Sequence, residues 1–299
     1  MKTYQGMISE VLAGGTRRPN RTGVDTISTF NYNYELRWDA SMTGSGAWEL
    51  LNPGAIPLLT TKRVSWKNIV IELLWFISGQ TDVGILQRHG CRFWDPWADA
   101  SGEVPSAYGH FWRSFGGSND QLAWVLSQLR NNPMSRRLII SAWDPNNAQN
   151  STLPPCHFAM AFNVQLNSDG EQRLCLHLTQ RSCDLALGVP YNMASYALLL
   201  HVMSHLSGIK PGIFAHTLID LHAYTSKPDG SMADYDHVPG LEKQAVRPCR
   251  PLPRLQIASD IRDLSDVEHL IDASEDEILG AFRLTGYDPH PAIRFKVAV

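Results

Sequence analysis

Cys156 carries the most reactive side chain in this sequence, and its neighbours are polar. Pro154-Pro155 stiffens the approach to it, while His157, Gln180, Arg181, Ser182 and Asp184 fall in two blocks, PPCH and QRSCD. Between the blocks, residues 157–166 alternate with Phe158, Met160, Phe162, Val164 and Leu166 on one face, and Leu174, Leu176 and Leu178 repeat the period. A period of two, interrupted by Asn167-Ser168-Asp169-Gly170, predicts two half-buried antiparallel strands joined by a turn. Register follows the turn, so position 156 faces about position 183, give or take about two residues, and Cys156 lies beside Arg181-Ser182. A guanidinium there favours the thiolate, which is the nucleophilic form. Buried structural thiols are the commoner use of cysteine, but such a thiol needs no ring of polar side chains.

The groups that must position this thiol are spread along a chain of 299 residues, 43% of them hydrophobic, enough for a full core. A formal net charge of -3 argues against broad capture of nucleic acid and leaves room for an arginine cluster around one phosphate. Small anionic partners are expected, with no nucleic acid. The cysteines at 91, 156, 175, 183 and 249 form no CxxC pair and leave an odd one out, which favours reduced thiols over disulfides or zinc. The N-terminus lacks the apolar core of a signal peptide, and no run reaches bilayer length; the most apolar helical stretch is broken by His201 and His205. A soluble cytoplasmic protein without membrane contact or metal site is expected, and no glycine-rich phosphate loop or HExxH is present.

Helical spacing over residues 3–13 stops at Gly14-Gly15. A basic loop, Arg17 to Gly23, then leads into a strand near residues 26–36, and residues 38–55 read as a surface excursion. SWKNIVIELLWFISGQ predicts a helix with a wide stripe of Ile69, Val70, Leu73, Leu74 and Ile77. Glu72 sits within it, either on the wet side or buried, and a buried carboxylate must be hydrogen-bonded, paired or protonated. The rings between Phe93 and Phe115 serve either as core or as one wall of a cleft for a flat ligand. Further helices are expected at 119–131 and from Pro190 to about Leu206, with Gly208 as a cap. Asn192 then lies near a helix N-terminus, where it either caps or offers a donor and an acceptor to a ligand. His222 and Tyr224 share one face of a strand, residues 228–240 read as a polar loop, and the acidic segment 265–281 reads as one solvated helix.

PPCH followed by QRSCDLALGVPYNMASY resembles the active-site signature of the folate-dependent thymidylate synthases. RTG, PLLTTKR, ELLWF, WDPWAD, AYG, SRR and the terminal GYDPHPAIRFKVAV extend the likeness over nearly the whole chain. The resemblance implies an α+β fold: a single large domain over residues 1–299, a mixed, mostly antiparallel sheet packed with helices, dimerising through the sheet, with a C-terminal flap at about 286–299. It implies Cys156 as nucleophile, Glu72 and Tyr108 in proton transfers, and Asn192, His157 and Asp184 beside them. Nucleotide contacts carry over to Arg21, Gln180, Arg181, Ser182 and Asn192, with Arg136 and Arg137 contributed across a homodimer interface and His222 and Tyr224 on the ribose 3′-hydroxyl. Contacts to the cofactor, 5,10-methylenetetrahydrofolate, carry over to Lys62, Phe93, Trp94, Trp97, Asp184, Leu187, Gly188, Tyr191 and Val299.

The implied substrate is dUMP and the implied product dTMP. If water replaces hydride at the last step the product is a 5-hydroxymethyl nucleotide, from dUMP or dCMP, and a catalytically silent nucleotide- or RNA-binding relative is a third reading. Departures from the family pattern bear on this fork: Phe93, Asp144, Ala161, Thr179, Leu218-Ile219, Ser226-Lys227 and Phe295-Lys296. Trp94 is retained, which argues for hydride transfer. Asn192 points to uracil, although an amide can flip, so the groups behind it decide.

Overall fold

A bulge at the start of the central hairpin sets the geometry of everything near Cys156. The chain, described here by a computed structural model covering residues 1–149, 151, 153–231 and 235–297, opens with helix α1 (Lys2–Gly14), strands β1 (Thr16–Arg18), β2 (Thr26–Arg37) and β3 (Trp48–Leu50), and helices α2 (Trp66–Ser78) and α3 (Val83–Arg88). Helices α4 (Tyr108–Ser114) and α5 (Gln121–Asn131), strand β4 (Ile139–Ser141) and helix α6 (Pro145–Ala148) lead to the hairpin strands β5 (His157–Leu166) and β6 (Gln172–Gln180). Strand β7 (Cys183–Asp184), helix α7 (Gly188–Ser207), strand β8 (Pro211–Tyr224), helix α8 (Val238–Ala245), strand β9 (Arg254–Ile257), helices α9 (Leu264–His269) and α10 (Glu275–Ala281) and strand β10 (Phe282–Thr285) complete it.

The main sheet runs β1-β2-β8-β6-β5-β4, with β3 beside β2 and β7 beside β8; β9 and β10 pair separately. Its longest ladders, β2 with β8 and β5 with β6, are antiparallel, while β6 and β7 run parallel to β8. This is the mixed, mostly antiparallel α+β architecture expected. The hairpin pairs Leu166 with Gln172 and Met160 with Leu178, then slips between His157 and Ala159, so that His157 meets Gln180. Met160, Phe162, Val164, Leu174, Leu176 and Leu178 are buried as their period requires, whereas Leu166 is exposed at the turn and the slip turns His157 inward in place of Phe158.

Helix α7 packs against β6, β7, β8, α2 and α5 and is buried almost all round. Its C-terminus stops at Gly208 in the left-handed region. Helix α2 is also submerged: Ile71, Glu72, Trp75 and Phe76 are buried along with the expected stripe, because α4, α7, α9 and α10 pack around it. Ser65 caps its first turn by accepting from the Asn68 N–H, and Gly79 ends it.

Two sequence expectations need correction. Residues 38–55 are not merely a surface excursion, since Trp48–Leu50 pairs parallel with β2 and Trp38, Leu51 and Ala55 are buried. The acidic segment is not one helix, because Ser274 starts a new one with a capping box shared with Glu277. The polar loop also ends early, as α8 begins at Val238. On the opposite face of the sheet, Ala159, Ala161, His177, Thr179 and Thr217 stay half-buried or exposed, and Phe30 is 80% exposed.

The α2–α4 crossing leaves no room at Gly109, where a Cβ would lie 2.4 Å from the Phe76 carbonyl oxygen. Gly109→Ala is expected to lower stability by about 1–3 kcal/mol and to displace the adjacent Tyr108. Denaturant unfolding and the activity of the folded fraction check this; unchanged values for both would mean the crossing yields freely.

Candidate active site

A cavity of about 600 Å³ opens between the N-terminal end of the hairpin, the first turns of α7 and the loop before β2. That volume suits a nucleotide with a second flat ring beside it. Cys156 lies on its wall. The Arg181 N–H donates to the Cys156 carbonyl at 2.8 Å, and the Cys156 N–H donates to the Tyr108 hydroxyl at 2.9 Å. Sγ is 3.7 Å from Arg181 Nη2. The guanidinium is held by the Pro155 and Pro154 carbonyls at 2.9 and 2.6 Å and lies over Trp143. The stiff Pro-Pro segment therefore serves as its mount.

The expected register thus places the thiol beside Arg181, but not in the expected charge state. Burial pushes the Cys156 thiol up, and Arg181, Tyr108, Arg21 and Ser182 only partly oppose it. In this structure the group rests as a thiol and must lose its proton when it reacts. His157 stacks on Tyr108 at 3.6 Å and bonds to the Tyr196 hydroxyl. Burial, with Arg181 adding to it, lowers His157 to about 3, so the ring is neutral and carries no charge into the site. Burial also holds Tyr108 well above the ordinary tyrosine range, as a phenol.

Glu72 projects from α2 into the same space and accepts from Trp94 Nε1 at 2.7 Å. Burial pushes it up to about 7, with the Trp94 bond working against the shift. A carboxyl at that value gives and takes protons near neutrality. The aromatic wall comprises Phe93, Trp94, Trp97 and Tyr191, with Leu187, Gly188 and Val297 beside them. Trp94 and Trp97 meet edge to face at 5.8 Å. Asp184 accepts from the Ala186 and Leu187 N–H groups at 2.8 and 3.1 Å and also lines the cavity. Asn192 does not cap α7; its Oδ1 accepts from Gln180 Nε2 at 3.0 Å.

At the mouth, Asn20 braces the basic loop by donating to the Val24 carbonyl and accepting from the Thr22 N–H, each at 2.7 Å. Arg21, Ser182, His222 and Tyr224 line the cavity there. Burial lowers His222, but the Asp220 and Asp184 carboxylates more than offset it and the net shift is upward. Asp220 in turn is held at about 2, chiefly by its bond to His222 and then by Ser28, against its own burial.

One expected contact lies elsewhere. Lys62 does not line the cavity: Nζ donates to the Ala186 carbonyl at 2.5 Å and lies under the Phe295 ring, and burial lowers it to about 8 despite Asp184. Arg136 and Arg137 are exposed and outside their own chain's cavity. Val299 lies outside the described residues. Sequence reasoning missed Arg18, Asn20, Thr22, Asp220 and Val297 as lining groups. Asp220 had a signal, since it precedes His222 and Tyr224 at the same spacing of two.

One cavity thus gathers a cysteine thiol beside Arg181, a second arginine at Arg21, the buried Glu72 carboxyl and an aromatic wall. The sequence model described as thymidylate synthase matches residues 2–299, and the chain belongs to that family. At the family's level it is a methyltransferase-type enzyme that carries one-carbon transfer to C5 of dUMP, with a methylenetetrahydrofolate cosubstrate. Among the described residues, no helix is long and apolar enough to cross a membrane.

Glu72 also makes a stability prediction. Folded, it keeps its proton up to about pH 7, whereas an unfolded glutamate releases it near 4.5. The unfolded chain therefore binds fewer protons across that interval, and stability falls as pH rises through it. Glu72→Gln is expected to remove this contribution, flattening the unfolding free energy between those pH values relative to the unsubstituted protein. Parallel pH profiles in urea titrations would show that the carboxyl is not protonated in the fold.

Proposed function

We propose that the protein carries out reductive methylation of dUMP to dTMP through a covalent bond between Cys156 Sγ and C6 of the uracil. The observation that carries this reading is the convergence on one cavity of the Arg181-braced thiol, the Asn192 amide, the buried Glu72 carboxyl and the Trp94-Trp97 wall. Uracil C5 is a weak nucleophile until something adds at C6. As Cys156 loses its proton and the Sγ–C6 bond forms, the C5=C6 electron pair moves toward C5 and O4. Arg181 and Arg21 stabilise the sulfur's developing negative charge, and Asn192 donates toward O4. Phe93, Trp94, Trp97, Leu187, Gly188 and Tyr191, with Asp184 at the polar edge, would hold methylenetetrahydrofolate, which would supply the carbon to C5, release it as its carbon–nitrogen bond breaks with loss of the C5 proton, and then supply a hydride, leaving as dihydrofolate. Glu72 moves protons at the base edge, and Tyr108 assists loss of the C5 proton. Breaking the Sγ–C6 bond restores the ring.

The phosphate would sit near Arg21, Arg181 and Ser182, with His222 and Tyr224 on the 3′-hydroxyl of a 2′-deoxyribose. Arg136 and Arg137 would complete the site of a second copy, in a homodimer that buries the open sheet face. Five free thiols suit the reducing cytoplasm, where we place the protein. Residues from about 286 onward would form the flap. The departures Ala161 and Thr179, which pair with His177 and Ala159 across β5 and β6, lie outside the cavity lining and so do not reach the reacting atoms. Trp94, bonded to Glu72, and Trp97 beside it would exclude water there, favouring hydride delivery over hydration.

Incubation with dUMP and methylenetetrahydrofolate is expected to yield dTMP and dihydrofolate in equal amounts, and Cys156→Ser to abolish both. Hydroxymethyl-dUMP without dihydrofolate would replace methylation by hydroxymethylation. Shared sites have their own test: Cys156→Ser and the Arg136→Ala/Arg137→Ala double variant, each inactive alone, should regain about a quarter of full activity when mixed and allowed to exchange subunits. No recovery would place the two arginines outside the partner's site.

A further inference from the structure

His216 is buried on β8, outside the cavity lining, and no step of the transfer uses it. Its importance follows from one atom whose role is fixed by covalent structure. The Ser182 backbone carbonyl can only accept a hydrogen bond, and Gln180 Nε2 lies 3.0 Å from it. Gln180 therefore turns its nitrogen that way, and the same nitrogen donates its second hydrogen to Asn192 Oδ1 at 3.0 Å. Gln180 Oε1 is left facing His216 Nε2 at 3.1 Å. An amide oxygen cannot donate, so the ring hydrogen sits on Nε2. Burial holds His216 well below the ordinary histidine range, with His157 and His177 adding to the shift, so the ring is neutral and Nδ1 is a bare acceptor. Tyr34, whose hydroxyl is 2.9 Å from Nδ1, must then be the donor. The chain reads in one direction: Tyr34 to His216, His216 to Gln180, Gln180 to Asn192.

We propose that the Tyr34–His216 pair is a positioning device that fixes the amide of Asn192 with Nδ2 toward the ligand, so that the site selects a 4-oxo over a 4-amino pyrimidine. The proposal rests on the nucleotide reading above. A uracil edge offers an O4 acceptor and an N3–H donor, which match the Asn192 Nδ2–H and the second lone pair of Oδ1. A cytosine edge reverses both. Accepting it would require Asn192 to flip, setting its N–H against the N–H of Gln180. Gln180 cannot follow without turning its own oxygen on the Ser182 carbonyl and its nitrogen on the His216 Nε2–H. Each such clash leaves buried polar groups unpaired.

Two measurements test this independently. Nitrogen-15 shifts of the His216 ring in the intact protein should show the neutral Nε2–H form, unchanged between about pH 5.5 and 8; a charged ring or an Nδ1–H form overturns the proposal whatever the enzyme's substrate. Equilibrium binding of dUMP and dCMP, which needs no turnover, reads the consequence. The preference for dUMP should fall by about tenfold in His216→Leu, by less in Tyr34→Phe, and should recover in His216→Gln, whose amide can donate to Gln180. An unchanged dUMP-to-dCMP ratio in folded His216→Leu overturns the proposal. Failure of the unsubstituted protein to bind either nucleotide overturns the nucleotide reading and the selection with it, even if the ring shifts are those expected.

Discussion

A single backbone hydrogen bond, from the Arg181 N–H to the Cys156 carbonyl, ties the chemistry of this protein to its sheet. It forms just beyond the slip in the β5–β6 ladder, where two residues of β5 oppose one of β6 and the strand bends. The bend turns His157 inward beneath Tyr108 and leaves Cys156 on the cavity wall. The same bond brings the Arg181 side chain back toward the Pro154 and Pro155 carbonyls. Without it, thiol and guanidinium would belong to unrelated loops. Helix α7 then enters across the hairpin and brings Asn192 to Gln180, so the base-facing and sulfur-facing groups share one frame.

Burial and charge oppose each other throughout the site, and the outcome differs from residue to residue. At Cys156 and Glu72 burial wins and protons are retained. At Asp220 hydrogen bonds win and the carboxylate stays ionised, and at His222 its carboxylate neighbours prevail. The cavity therefore carries an ionised carboxylate, Asp220, at its mouth and protonated Cys156 and Glu72 further in. That gradient suits a ligand with a phosphate at one end and a neutral ring at the other.

Much of this was legible in the chain. Alternation in residues 157–166 and 174–178, together with the Asn167–Gly170 turn, was enough to bring Cys156 next to Arg181, because side-chain period and turn length constrain register. The slip itself was not legible, since no glycine or other marker signals it. Glu72 was left between wet and buried because the stripe describes one face of α2, while burial depends on how many neighbours surround it. The charge state of Cys156 was misread for a related reason: the arginine is visible in sequence, whereas the desolvation that outweighs it is a sum over the whole fold. Lys62 fell outside the cavity because Phe295, distant in sequence, covers it. His216 carried no motif at all, and its meaning emerges only from the partners on either side.

A carboxyl that is half protonated near neutrality also makes ligand capture a matter of hydrogen-ion traffic. An incoming dianion raises the proton affinity of any nearby carboxyl, so Glu72 would take up fractional hydrogen ions as the complex forms. Occupancy would then depend on acidity, and the heat released on binding would vary with the ionisation enthalpy of the buffer. A modest alkaline drift would loosen the grip on an anionic ligand.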